Sequence, residues 1–228
     1  MIRFKKMPLE KRLQQAVLVC SMICLVMGCR SSQQIVSSGE HQGWALVKTE
    51  KSDDPSWAIY SRQLDGTNFY EYKITGPVAA SGTKSASTFR ADILAHAEGS
   101  KVDKKLTTYK LLVESEDSLL TYVIHNEPFP LKDTEMCIRY HFITDANGTA
   151  IVKWKEAWGQ CGVAPSKRLQ RVETFRGEWQ LTPTSNNTCT AVNTVQFDPK
   201  KMPLWLVNPM VVKFLREGLE NIRTMTAE

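Results

Sequence analysis

The stretch that most constrains this chain is its last, residues 203–225. Apolar residues recur there at Leu204, Val207, Val211, Leu215, Gly218, Ile222 and Met225. Steps of three and four place them along one side of a helix. Pro203 suits a first helical turn, where its missing N–H costs nothing. Lys213, Arg216, Glu217, Glu220 and Arg223 fall off the stripe, while Trp205, Met210, Val212 and Phe214 widen the apolar surface beyond a narrow seam. Such a helix must lie against something large and apolar, and what precedes it reads almost wholly as strand.

In order, residues 44–48, 57–62 and 68–78 read as strands. The period then changes. Phe89, Ile93, Leu94 and Ala97 suit a helix over 85–97, with Ser87 as its expected cap and Gly99 beyond its end. Six further strands are expected at 107–114, 119–126, 135–144, 149–158, 170–182 and 188–197, separated mostly by turns rich in Gly, Asn, Asp and Pro. Strands, one helix, many strands and a long terminal helix make an α+β chain with one strongly curved antiparallel sheet.

Two hairpins can be read for register. Asp145-Ala146-Asn147-Gly148 suits a type I turn followed by a left-handed glycine. It predicts Phe142 opposite Val152, Tyr140 opposite Trp154, Ile138 opposite Glu156 and Met136 opposite Trp158. Arg139, His141, Lys153 and Lys155 then take the other face. A turn around Ser185 predicts Leu181 opposite Cys189, Trp179 opposite Ala191, Gly177 opposite Asn193 and Phe175 opposite Val195. The face turned to the helix is thus rich in aromatics but interrupted by Glu156 and Asn193. A carboxylate facing an apolar interior is costly unless it is paired or wetted. A ligand cavity with a few polar groups explains the interruptions; so does a solvated position at the sheet rim.

The chain begins with Arg3, Lys5, Lys6, Lys11 and Arg12, followed by an apolar run over 16–27 that is too short to span a bilayer. The run closes on Leu25-Val26-Met27-Gly28-Cys29, which resembles a bacterial lipobox. Residues 1–28 are therefore expected to be a lipoprotein signal peptide, with Cys29 acylated and residues 29–43 a Ser- and Gln-rich tether. Two or more acyl chains hold a protein durably on a membrane. Arg30 after the acylated cysteine fits sorting to the outer membrane of a bacterial cell envelope, facing the periplasm. The label carries five of the 29 basic and one of the 24 acidic residues, which leaves 24 against 23, or +1. Nucleic acid binding loses its compositional support. Residues 44–228 suit one domain.

Beyond the label only Cys137, Cys161 and Cys189 remain, which allows one disulfide and one spare thiol outside the cytoplasm. No CxxC pair and no Cys/His cluster has metal-site spacing, so neither metal nor other cofactor is expected.

Residues 126–140 (NEPFPLKDTEMCIRY) resemble the segment of START domains (steroidogenic-acute-regulatory-related lipid transfer) built on an apolar-Pro-Leu-x-Asp-Arg-Asp/Glu core. Residues 175–183 (FRGEWQLTP) are similar to the strand before that family's last hairpin, and 197–209 to the approach to its final helix. Residues 44–48 (WALVK) and 59–62 (IYSR) resemble its opening strands. The resemblance implies a helix-grip fold, in which a curved antiparallel sheet wraps the C-terminal helix around a lipid or other apolar ligand. Thr134 stands where the family commonly has arginine, so the cavity carries over but no headgroup preference does.

The wall of such a cavity would comprise Tyr140, Trp154, Glu156, Trp158, Phe175, Trp179 and Asn193 from the sheet and Val211, Leu215 and Gly218 from the helix. Gly218 would leave room for the ligand. Three functions compete. The first is a tethered module that sequesters or transfers an apolar ligand. The second is a structural or assembly lipoprotein whose fold is filled by its own side chains. The third is an enzyme, since related helix-grip proteins include cyclases and hydrolases. Against the enzyme, no Gly-x-Ser-x-Gly and no nucleophile beside an obvious base is found; Glu156 is the one candidate base. The sequence identifies no protein partner.

Overall fold

A computed structural model describes residues 43–53, 56–67, 69–100, 106–127, 132–197 and 204–227. The expected signal peptide, Cys29, the expected tether as far as residue 42 and the expected helix start at Pro203 lie outside the described residues. Residues 39–228 form a compact unit.

Among the described residues ten strands make one sheet: β1 (Ala45–Thr49), β2 (Ala58–Gln63), β3 (Tyr70–Val78), β4 (Leu106–Glu114), β5 (Ser118–His125), β6 (Thr134–Thr144), β7 (Ala150–Glu156), β8 (Gln170–Arg171), β9 (Phe175–Ser185) and β10 (Thr188–Phe197). Among the described residues three helices accompany them: α1 (Gly82–Ala97), the single turn α2 (Trp158–Cys161) and α3 (Leu204–Ala227). The strand order is β1-β2-β3-β10-β9-β7-β6-β5-β4, antiparallel throughout; β8 is a short parallel addition to β6. The α+β reading and the gripped terminal helix hold. Among the described residues no helix is long and apolar enough to cross a membrane.

The β6–β7 hairpin has the expected register, with Phe142, Tyr140 and Ile138 opposite Val152, Trp154 and Glu156. Its turn follows from two sequence features. Asp145 Oδ1 accepts from the N–H groups of Asn147 and Thr149, at 2.8 and 2.9 Å, and Gly148 takes φ 78°. Aspartate locks such a turn through its own backbone, and only glycine adopts that φ cheaply.

Four expectations need correction. The helix α1 starts earlier than 85: Ser81 caps it, accepting from Lys84 N–H at 3.2 Å, and Ser87 lies inside with its hydroxyl donating to Lys84 O. Residues 170–182 are two strands rather than one. β7 ends at Glu156, so Met136 and Trp158 do not pair. The last hairpin is displaced by two residues, with Leu181, Trp179, Gly177 and Phe175 opposite Ala191, Asn193, Val195 and Phe197. The chain reverses between Ser185 and Thr188, with a bulge after Thr188, instead of around Ser185. A slip of two keeps every side chain on its face, because the strand period is two.

α3 lays Val207, Val211, Val212, Leu215, Leu219 and Ile222 onto the concave face, all buried. Each contributes about 1.5–3 kcal/mol by leaving water. Arg223 fastens the helix to the sheet, donating to Pro77 O at 3.0 Å and Ser56 O at 2.8 Å. Lys84 Nζ donates to Thr226 O at 2.8 Å and ties α1 to α3. The widening of the stripe is only partly covered: Val212 is buried, whereas Trp205, Met210 and Phe214 are 75%, 45% and 47% exposed.

Candidate functional site

The site is the concave face and the side of α3 turned to it. Tyr140, Trp154, Trp179, Asn193, Val211 and Leu215 are all buried there. Register explains the grouping. One row across the sheet runs Tyr72–Val195–Gly177–Trp154–Tyr140, and the next runs Ile74–Asn193–Trp179–Val152–Phe142. Trp154 leans over Gly177: a Cβ on Gly177 would meet the indole Cζ2 at 2.7 Å. Phe175 sits at the margin and links the interior to the helix flank, with ring centroids 6.3 Å from Trp154 and 6.1 Å from the half-exposed Phe214. From α1, Phe89 meets Tyr140 edge-on at 6.1 Å.

Three predicted wall residues behave otherwise. Trp158 falls in α2, on the outer face. There its indole N–H donates to Val172 O at 2.8 Å, and the Arg171 guanidinium lies 3.8 Å from the ring centroid. Arg171 in turn holds the buried Glu135 carboxylate at 3.0 Å, which also accepts from Tyr122 at 2.9 Å. Disulfide Cys137–Cys161 pins α2 against this cluster. Glu156 lies at the end of β7, engaged by the Arg176 guanidinium and, at 3.4 Å, by Phe175 N–H. Glu156 is thus ion-paired at the end of β7, with its side chain only 17% exposed. Gly218 faces the Trp179 ring, whose Cζ2 lies 3.6 Å from where a Cβ would stand, an ordinary contact distance, so that ring shares the space beside it.

Two contributors were missed. Tyr72 is fully buried and its hydroxyl donates to Asn208 of α3. Leu219 is fully buried beside Gly76. Asn208 precedes Pro209 within the helix, and this Asn-Pro pair in an apolar stripe is the signal that a side-chain acceptor faces inward there.

Burial governs the interior's acid–base behaviour. The phenols of Tyr72 and Tyr140 are pushed up to about 12, chiefly by loss of water, with Tyr70 adding to the effect on Tyr72. Tyr109, beside Tyr140, is pushed further the same way, again mainly by burial. A raised folded-state value means that the folded protein keeps protons the unfolded chain gives up from about pH 10. The stabilisation is whole below pH 10 and is lost as pH climbs through 12. Melting temperature is thus expected to fall steadily above pH 10, with buried tyrosinate absorbance emerging together with unfolding. Ionisation of all six tyrosines in a still-folded protein at about pH 11 would contradict this packing.

The outer face carries a groove of about 510 Å³, lined by Arg139, His141, Lys153, Lys155, Arg176 and Glu178 among others. The hairpin register placed the first four of these away from the helix. Among the described residues no group of three or more His, Cys, Asp or Glu side chains is placed to hold a metal ion.

No family profile and no curated protein matches the sequence. Solved structures do match in fold. The STAR-related lipid transfer protein from Xanthomonas axonopodis superposes with a TM-score of 0.67 at 18% identity, over 82% of this chain and 99% of its own. The fold is that of a START domain. Human STARD10 superposes on the START-like domain at 0.66, with 14% identity over 82% of this chain and 74% of its own. The human StarD13 lipid transfer and protein localization domain does so at 0.63, with 12% identity over 98% of both chains.

Proposed function

We propose that this chain is an envelope lipoprotein whose START-like domain holds an apolar ligand between the concave sheet and α3, for sequestration or transfer. The observation that carries the reading is the likeness in fold to a lipid transfer protein across nearly that protein's whole length. The aromatic inner wall of Tyr140, Trp154 and Trp179 fits it, since apolar pockets with few polar groups favour such ligands. The anchor is acylated Cys29. A disulfide between Cys137 and Cys161 supports an oxidising compartment such as the periplasm, with the third thiol, Cys189, buried. We read the domain as a binder rather than a catalyst, because Glu156 is ion-paired with Arg176. The filled-core reading has one observation in its favour, the Trp179 ring seated against Gly218.

Protein expressed without residues 1–29 should retain an apolar molecule that organic extraction releases and mass spectrometry counts at near one per chain. A bare chain that also takes up nothing from a lipid panel would leave the filled core as the better account. In the full chain, Cys29→Ser should move the protein from the membrane fraction to the soluble one; unchanged fractionation would remove the anchor from the reading.

A further inference from the structure

The two polar interruptions of the inner wall have different fates. Glu156 is satisfied by Arg176. Asn193 is 3% exposed and its Oδ1 accepts no hydrogen bond, while Trp154 is 6% exposed and its Nε1–H donates none. Buried donors and acceptors are almost always paired, because an unmade bond leaves the whole desolvation cost standing. The buried Glu135 carboxylate, by contrast, is met by Tyr122 and Arg171; among the described residues Arg90 Nη1 and Thr121 Oγ1 are the other buried side-chain atoms without a partner.

The unmatched donor and acceptor share one patch. Trp154 pairs with Gly177, Gly177 pairs with Val195, and Asn193 is two residues along β10 on the same face. The indole overlies Gly177 and so leans across β9 toward β10. Trp179, Val195 and Leu215 supply an otherwise apolar surround. Yet the indole N–H and the amide oxygen are not bonded to each other.

We infer that this pair recognises a hydroxyl head group on a neutral apolar ligand. The hydroxyl oxygen accepts from Trp154 Nε1–H, and its proton is donated to Asn193 Oδ1. A hydroxyl carries one donor and two acceptor sites and satisfies both groups at once. A carboxylate offers acceptors only, so it leaves Asn193 Oδ1 facing a negative charge. An alkane satisfies neither. The inference rests on the lipid-binding reading above and adds the class of ligand.

The test uses hexadecan-1-ol, n-hexadecane and hexadecanoate, which differ only at the head, each delivered from a cyclodextrin complex to the chain lacking residues 1–29. Bound ligand is counted by native mass spectrometry at neutral pH. The alcohol is expected to bind about tenfold or more better than either companion. Asn193→Leu should erase that preference while hydrocarbon uptake persists, and should raise the melting temperature of the ligand-free protein by removing an unmet acceptor. Trp154→Phe should likewise remove the alcohol's advantage over the alkane from the donor side, at some cost in stability for the lost ring volume, which covers the case in which the Asn193 variant fails to fold. Equal uptake of alcohol and alkane, or a preference for hexadecanoate, overturns head-group recognition and leaves the apolar pocket standing. No uptake of any of the three overturns both.

Discussion

Gly177→Ala is expected to cost about 3 kcal/mol or more, a fall of roughly 6–12 °C in melting temperature for a domain of this size. The reason is steric and has no cheap escape. A Cβ at 177 would stand 2.2 Å from the backbone oxygen of Thr194 and 2.7 Å from the Trp154 ring. The first neighbour belongs to β10, a strand held on both sides by β3 and β9, so relief requires two central strands to part. The second is the indole whose lean defines the interior patch, so any surviving fold should also bind ligand poorly. Gly218→Ala is the matched control on the opposing helix. There the new methyl would make ordinary contact with Trp179 at 3.6 Å, and the helix gains up to about 1 kcal/mol from losing glycine. Thermal melts of the pair decide the matter. Equal stability of Gly177→Ala and the parent would mean that Trp154 does not lie over β9.

The contrast between those glycines shows what could be read from residues alone. Both occupy inward positions, and the sequence suggests room for a ligand beside Gly218. Room is a property of what lies opposite, and here that is Trp179 from a strand some forty residues away. Faces were legible for the same reason that partners were not. The Asp145–Gly148 turn has a single geometry, so its hairpin could be placed to the residue. Ser185 to Thr188 admits more than one reversal, and a displacement of two leaves the apolar pattern intact. The α1 start was misplaced because Ser81, Ser85 and Ser87 all offer a capping hydroxyl, and only the path of the backbone selects among them. Trp158 carried no mark of its face, since aromatic side chains serve an inner wall and an outer cation–π contact equally well. Asn193 and Glu156 were visible as interruptions. That one would be met by Arg176 and the other left unmet depends on β9 and β10 geometry, which periodicity does not encode.

Removing the disulfide should give the second large effect, and it should be confined to the outer face. Cys137 and Cys161 have Cα atoms 6.3 Å apart and are separated by 24 positions. Closing a loop of that length restricts the unfolded chain by about 3 kcal/mol at room temperature. The double variant Cys137→Ala with Cys161→Ala avoids an unpaired thiol, and it is expected to melt roughly 6–12 °C lower. Locally the loss frees α2 and the segment running to β8, which together cover Glu135, Tyr122 and Arg171. The buried carboxylate is then exposed to competition from water, so the segment between Gly162 and Arg171 should become the first site of limited proteolysis. The concave face lies across the sheet from this cluster, and below its melting point the variant should still take up an apolar ligand as the parent does. Reducing agent applied to the parent should reproduce the melting shift. A shift under about 2 °C would mean that strand pairing of β6, and not the covalent link, holds this face together.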